Sequence, residues 1–225
     1  MTAPAASTSC QAPAATLPEL LDIRAQGCAD RPAFTFLQRN GSKLWSLSYR
    51  ELLASADAVG AALIEAGVRP GDRVVVGCGY PSEFVPAFFG AIRAGAIPVP
   101  TPAPTSHQAR RLIGIVADCQ PTAAFVTTEQ GKAVLERAAQ HCGAHVRMLD
   151  PKSAAPGASL APARVRSDQP AFLQYTSGST GAPRGVVVTH RAALANSMMI
   201  QRAFEHDEES RFRSEERRVG KECSS

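Results

Sequence analysis

Residues 71–100 read GDRVVVGCGYPSEFVPAFFGAIRAGAIPVP and carry a strand, a helix and a second strand in sequence. Residues 74–76 form a short unbroken apolar run between glycines, which is typical of a strand buried on both faces of a sheet. Residues 83–94 then predict a helix, and residues 96–99 predict a second short strand. A strand, a helix and a strand in this order indicate two parallel strands joined by a crossover helix.

The same alternation continues downstream of this stretch. Predicted helices at 110–118 and 129–140 alternate with predicted strands at 123–127 and 146–149. The segment as a whole therefore indicates an α/β fold, with a mostly parallel sheet flanked by helices. A linker rich in Ala, Pro, Gly and Ser follows at 151–163 and separates this unit from the next one.

Upstream of the stretch, the sequence predicts a hairpin followed by a long helix. Asn40-Gly41 is a strong turn signal between strand-like runs at 33–37 and 44–47. Ser48 has a glutamate three positions later, which is the spacing of a capping box at the start of a helix.

The sequence predicts that regular structure begins at Thr16. Residues 1–15 are rich in Ala, Ser, Thr and Pro, with no basic start and no apolar run. We therefore expect a disordered leader rather than a secretory signal, and a cytoplasmic protein. Thr16, followed by Pro18 and Glu19, resembles the N-cap of a short helix that ends at about Gln26.

The composition is that of a soluble globular protein. The 225 residues are 44% apolar and 20% charged with a formal net charge of +4, and the dense basic cluster is at the extreme C-terminus. This distribution indicates no nucleic-acid partner and no anionic-membrane surface. The most apolar stretch, residues 84–100, carries Arg93 and three prolines and is too short to span a bilayer.

Six widely spaced cysteines without a CxxC pair argue against a disulfide scaffold or a zinc site, and favour thiols in a reducing compartment.

The loop at residues 176–185 carries the strongest chemical signal. It lies between strand-like runs at 171–175 and 186–189. Its three glycines allow backbone N–H groups to approach a ligand closely, and successive N–H groups form a nest for phosphate oxygens. Four hydroxyl side chains add short donors, and Arg184 adds a permanent positive charge that fits phosphate. We interpret this segment as a phosphate-binding loop.

Two other interpretations of the loop are weaker. A Walker A loop needs the G-x-x-x-x-G-K-[ST] spacing, which is absent here, so a P-loop NTPase is disfavoured. A Gly/Ser-rich hairpin or flexible linker is common for short Ser/Gly strings, but a linker has no reason to carry Pro183-Arg184-Gly185 between two β-rich runs. His190 begins the next helix, and we expect it to have a scaffold role.

Residues 175–185 resemble the phosphate-loop signature of the AMP-binding, adenylate-forming superfamily, although Arg184 stands where the family usually has lysine. The family's N-terminal strand–helix–strand segment is similar to residues 71–75, 84–91 and 94–100. The stretches that look most like the fatty acyl-AMP ligases are Phe172-Leu173-Gln174, Arg111-Leu112 and Ala117-Asp118. The resemblance implies the N-terminal part of the adenylate-forming enzyme fold, incomplete in this chain.

The resemblance also implies an activity. Such a ligase uses ATP and Mg²⁺ to convert a fatty acid carboxylate into an acyl-adenylate, and transfers the acyl group to the thiol of an acyl carrier protein, alone or in a polyketide synthase. An acyl-CoA synthetase, or a non-catalytic module that binds nucleotide or carrier protein, remains an alternative. The nucleotide contacts implied by the resemblance are Thr176, Ser177, Gly178, Ser179, Thr180, Gly181 and Arg184. No catalytic residue and no metal ligand is assigned within this chain.

The C-terminal residues suggest that the natural sequence is longer. Neither the family's motifs for adenine and ribose nor its subdomain with the catalytic lysine are among these residues, so we expect a partial AMP-binding domain over 16–212 that is inactive alone. Residues 213–223 are similar to the conceptual translation of a widely used sequencing adapter. We therefore expect 213–225 to be an artefactual tail.

Overall fold

A computed structural model describes residues 14–212 of the chain, apart from residues 39, 156, 159, 178–182 and 208–209. The predicted leader up to residue 13 and the predicted tail at 213–225 lie outside the described residues. The helices are α1 (Leu17–Gly27), α2 (Tyr49–Glu65), α3 (Pro81–Arg93), α4 (Ala109–Cys119), α5 (Glu129–His141) and α6 (His190–Ala203). The strands are β1 (Pro32–Leu37), β2 (Lys43–Ser48), β3 (Arg73–Val76), β4 (Ile97–Pro100), β5 (Ala123–Phe125), β6 (Arg147–Leu149), β7 (Pro170–Ser177) and β8 (Pro183–Thr189).

Local capping signals place the first two helices where the sequence predicts them. The Thr16 hydroxyl accepts the backbone N–H of Glu19 at 3.4 Å, which begins α1. At the start of α2 the Ser48 hydroxyl accepts the N–H of Glu51, and the Glu51 carboxylate accepts the N–H of Ser48. The predicted hairpin is also confirmed, since β1 and β2 pair antiparallel and Gly41 has a φ of 82°. A left-handed φ of this kind favours glycine.

The predicted parallel sheet is confirmed as four strands in the order β4-β3-β5-β6, with every neighbouring pair parallel. Strand β3 lies inside the sheet, and Val74, Val75 and Val76 are fully buried. Val74 and Val76 belong to one apolar cluster and Val75 to a second, because successive side chains of a strand point to opposite faces. Helices therefore cover both faces of the sheet.

Each face of the sheet has its own core. The cluster on one face takes its helical residues from α2 and α3, and it includes the buried thiol of Cys78. The cluster on the other face takes its helical residues from α4 and α5, and it includes Cys119. Burial raises the pKa of both thiols to about 12. Among the described residues, Cys78, Cys119 and Cys142 are free thiols.

Helices α2 and α3 pack with their backbones close together. A Cβ atom added at Gly90 of α3 would lie 2.9 Å from the carbonyl oxygen of Ala56 in α2. At the end of α3 the guanidinium of Arg93 is 3% exposed and contacts two carboxylates, that of Asp57 at 2.5 Å and that of Asp22 at 2.6 Å. One buried cation therefore joins α1, α2 and α3.

Strand β5 is shorter than predicted, and Thr127, which the prediction placed in it, binds a buried carboxylate through its side chain. The predicted strand runs to residue 127, but the observed one ends at Phe125. The Thr127 hydroxyl donates to the Glu83 carboxylate at 2.5 Å and accepts the N–H of Gly79 at 2.9 Å. Lys152 forms an ion pair with Glu83 at 2.6 Å, so this 5%-exposed residue is both neutralised and hydrogen-bonded.

The contacts of the chain divide it into two units, residues 1–194 and residues 195–225. The first unit contains all three sheets. In the second, the ring of His206 stacks on Phe204 with centroids 5.7 Å apart and meets the Phe212 ring edge-on at 4.2 Å. No helix in the described part of the chain has both the length and the apolar composition needed to cross a bilayer.

Candidate functional site

Residues 176–177 and 183–185 of the predicted loop belong to β7 and β8, which pair antiparallel, so the loop between the strands is residues 178–182. Thr176 pairs with Arg184, and Ser177 pairs with Pro183, so both flanks of the loop are fixed in the hairpin. Four of the predicted contacts, Gly178, Ser179, Thr180 and Gly181, lie outside the described residues. The structure therefore places the base of the loop and leaves its tip as a prediction.

At the base of the loop, a hydroxyl and a cation lie side by side. Thr176 and Arg184 are direct cross-strand partners, and both residues are exposed. Direct partners place their Cβ atoms about 4.5–5.5 Å apart on one face of the hairpin. A neutral donor and a guanidinium at this spacing suit an anion with several oxygens, such as a phosphate group.

On the opposite face of the hairpin, Tyr175 is buried against α4. This residue is 3% exposed, and its hydroxyl donates to a carboxylate oxygen of Asp118 in α4. Its backbone carbonyl accepts the Nη2–H of Arg111, also in α4, at 3.0 Å. Burial, followed by the bond to Asp118, raises the pKa of the Tyr175 phenol well above its usual value. The phenol therefore stays protonated and acts as the donor.

Two glycines allow close contacts beside the loop. Gly185 is the cross-strand partner of Tyr175, and a Cβ atom there would lie 2.9 Å from the tyrosine ring. Gly114 of α4 faces the residue that follows the loop, since its Cβ would lie 2.7 Å from Cγ of Pro183. The helix thus touches the hairpin on both sides of the loop.

His190 lies at the other end of β8 and has a structural contact. It is 1% exposed, and its Nδ1 accepts the backbone N–H of Leu17 in the first turn of α1 at 3.3 Å. Burial lowers the pKa of the imidazole, so the neutral ring is favoured. These contacts agree with the expected scaffold role.

Sequence reasoning missed the contacts that Arg111 and Asp118 make with Tyr175. Both belong to stretches that look like fatty acyl-AMP ligases, but neither has a local pattern that pairs it with Tyr175. The partners are 64 and 57 residues away along the chain. The resemblance to the adenylate-forming family covers part of α4. Only the folded structure shows that α4 packs against the hairpin.

The chain is similar in sequence to AMP-binding enzymes and to fatty acid ligases. The family described as "AMP-binding enzyme" matches residues 21–216. JamA, a medium-chain-fatty-acid–[acyl-carrier-protein] ligase of Moorena producens, is 29% identical over 205 residues, which cover 87% of this chain and 34% of JamA. FadD32, a long-chain-fatty-acid–AMP ligase of Mycolicibacterium smegmatis, is 33% identical over 193 residues, which cover 81% of this chain and 30% of FadD32.

A solved structure resembles the fold closely. The fatty acyl-adenylate ligase of L. pneumophila, in complex with acyl adenylate and pyrophosphate, superposes with a TM-score of 0.77 and 27% sequence identity. The match covers 88% of this chain and 34% of that ligase. The chain therefore spans about a third of the length of the relatives it matches.

Proposed function

The chain belongs to the family of AMP-binding enzymes, and on that premise we propose that it is the N-terminal part of a ligase that activates a fatty acid as its acyl-adenylate. The observation that carries this proposal is the pairing of exposed Thr176 with exposed Arg184 at the base of a glycine- and hydroxyl-rich loop. The names of JamA and FadD32, both fatty acid ligases, support the choice of a fatty acid as substrate.

In the proposed reaction a carboxylate oxygen attacks the α-phosphorus of ATP. The new oxygen–phosphorus bond forms the acyl-adenylate, the bond between the α-phosphorus and the bridging oxygen breaks, and pyrophosphate leaves. Charge accumulates on the leaving pyrophosphate, so donors placed in advance around its oxygens stabilise the transition state. Thr176 and Arg184 would supply a hydroxyl and a guanidinium, and the loop residues Ser177, Gly178, Ser179, Thr180 and Gly181 would supply the remaining donors.

Mg²⁺ is the expected partner of the triphosphate. Bound to ATP, the ion would neutralise part of the charge that the nucleotide brings to the loop. The described base of the loop fits such a complex, because it offers a hydroxyl and one cation without a carboxylate of its own. Arg184 would bind phosphate oxygens that the ion does not use.

The acyl acceptor is proposed to be a carrier protein, free or part of a polyketide synthase. In this second step the thiol sulfur attacks the acyl carbonyl carbon, and AMP leaves. JamA is by name an acyl-carrier-protein ligase, which supports a pantetheine thiol on a protein over coenzyme A. ATP-dependent loading of a carrier protein also favours the expected cytoplasmic location.

The proposal is tested with the full-length protein that carries this segment. We expect fatty-acid-dependent exchange of pyrophosphate into ATP, and a loss of kcat/KM of about tenfold or more in Arg184→Gln, since a charge-assisted bond contributes about 1.5–3 kcal/mol. Arg184→Lys should recover much of this loss because it keeps the charge. Arg110→Gln removes an exposed arginine from α4 and serves as the matched control.

Two results would refute the proposal. One is a wild-type protein that exchanges no pyrophosphate with any fatty acid from medium to long chain. The other is an Arg184→Gln variant whose kinetics equal those of Arg110→Gln. Acyl transfer is then compared with a carrier protein and with coenzyme A as acceptors, and preference for coenzyme A would identify an acyl-CoA synthetase instead.

A further inference from the structure

We propose that helix α4 holds the phosphate-binding loop in position, with Arg111 and Asp118 as positioning residues for ATP. This inference rests on the proposed function, because it assigns a role in nucleotide binding to residues that do not touch the nucleotide. Three contacts between α4 and the hairpin support it. Two of them lie before the loop, at Tyr175, and the third lies after it, at Pro183.

The first two contacts hold Tyr175, which directly precedes Thr176. The guanidinium of Arg111 donates to the backbone carbonyl of Tyr175 at 3.0 Å, and the carboxylate of Asp118 accepts the hydroxyl at the far end of the same side chain. Tyr175 is therefore fixed at its main chain and at its tip. Because Thr176 is the next residue along the strand, the first hydroxyl of the predicted site takes its position from this contact.

The third contact lies after the loop. The absence of a side chain at Gly114 lets Pro183 approach the helix backbone, and Pro183 directly precedes Arg184. Arg111, Gly114 and Asp118 recur at the i, i+3, i+7 spacing that forms one face of a helix. A single face of α4 therefore contacts Tyr175, which precedes Thr176, and Pro183, which precedes Arg184.

The helix itself is fixed to the parallel sheet, so it can serve as a rigid support. Leu112, Ile115 and Val116 are buried in the core on one face of the sheet. Arg73 at the start of β3 donates through Nε to the carbonyl of Cys119 at 2.7 Å, at the C-terminal end of α4. Groups held on such rigid elements keep a binding geometry better than groups held by loops alone.

The state of Arg111 also favours a positioning role over a purely stabilising one. Among the described residues its Nε is buried without a hydrogen-bond partner. A buried donor without a partner destabilises the folded protein. An apolar residue of similar length would avoid this loss, but it would leave the Tyr175 carbonyl without its donor.

The test compares the KM for ATP with the KM for the fatty acid in the full-length enzyme. In Arg111→Gln we expect the KM for ATP to rise about tenfold, because Thr176 loses its fixed position in the site, while the KM for the fatty acid changes less than twofold. Arg111→Lys should restore part of the ATP affinity, because one ammonium N–H can still reach a carbonyl. Arg110→Gln, at an exposed position on the same helix, should behave as wild type.

A second variant tests whether a rise in the KM for ATP could come only from a less stable α4. Alanine is a better helix former than glycine, so Gly114→Ala strengthens α4 itself while its new methyl group displaces Pro183. We expect it to raise the KM for ATP as Arg111→Gln does. The inference is overturned if both variants keep an ATP KM within twofold of Arg110→Gln, or if both substrate KM values rise together.

A measurement on the 225-residue chain tests the support by α4 without relying on enzyme activity. In Arg111→Gln, amide hydrogen exchange should accelerate about tenfold in β7 and β8 relative to β3 and β5. Unchanged exchange would refute the support role of α4, whatever the enzyme assay shows. A wild-type full-length protein without pyrophosphate exchange would instead refute the proposed function, and the nucleotide role of α4 with it.

Discussion

Replacing Arg93 by methionine should lower the free energy of unfolding by about 3–5 kcal/mol, which is the usual loss when one partner of a buried ion pair is removed. The Arg93 side chain is 3% exposed, and it contacts Asp57, 14% exposed, and Asp22, 31% exposed, at 2.5 and 2.6 Å. Asp22 can regain water after the substitution, but Asp57 stays largely buried without its cation. We therefore expect a value near the lower end of the range, about 3 kcal/mol.

The effect should depend on pH in a defined direction. Burial raises the pKa of Asp57 above its usual value even with Arg93 beside it, and Arg93 opposes this shift. Without Arg93 the native carboxyl binds a proton more readily than the unfolded chain does, so protonation stabilises the variant. The loss of stability in Arg93→Met should accordingly be smaller at pH 5 than at pH 8.

Urea denaturation at the two pH values measures both effects, and Arg50→Met provides the control. Arg50 pairs with Asp30 at 3.2 Å, but the two side chains are 65% and 87% exposed, so its removal should change stability by at most about 1 kcal/mol. Equal losses in the two variants, or a loss in Arg93→Met that does not vary with pH, would show that the buried cation does not hold the three helices together.

Three further predictions concern the fold. Gly90→Ala should destabilise the chain by about 1–3 kcal/mol, because the new Cβ would lie 2.9 Å from the Ala56 carbonyl oxygen, and a urea midpoint equal to wild type would contradict this. Ser48→Ala should cost about 1 kcal/mol through the lost capping box, as measured by thermal denaturation. Burial lowers the pKa of His190 below 6.5, so the unfolded chain binds more protons and stability should fall as the pH drops below that value. His190→Gln should remove this part of the pH dependence in urea titrations, and an unchanged profile would exclude His190 as its source.

Local signals predicted most of the fold correctly. The Ser48 capping box, the Asn40-Gly41 turn and the buried run at residues 74–76 all depend on partners a few residues apart or on simple burial. Such patterns can be read directly from the sequence. Element boundaries were less accurate, since the predicted strand 123–127 ends at Phe125 and the predicted strand 186–189 begins at Pro183.

Long-range polar contacts could not be predicted in the same way. Arg93 was noted only as an interruption of an apolar stretch, but it proved to be a buried cation between two aspartates. The partners of Tyr175 likewise come from a helix more than fifty residues away. Contacts of this kind depend on how the sheet and its helices pack, and no local pattern encodes them.

The candidate site shows the same division. Sequence composition predicted Thr176 and Arg184 as phosphate donors, and the two residues are direct partners in the hairpin. Their use in binding ATP stays a prediction, as do the contacts expected from residues 178–181. The contacts between α4 and the hairpin became visible only from the assembled fold.

The two buried thiols allow each face of the parallel sheet to be monitored separately. Cys78 and Cys119 lie in different cores, and a pKa of about 12 leaves almost no reactive thiolate at neutral pH while the chain is folded. A thiol-specific alkylating reagent should therefore modify either residue only when its own layer opens. Mass spectrometry of the two cysteine-containing peptides would then report whether the layers separate in one cooperative event or one after the other.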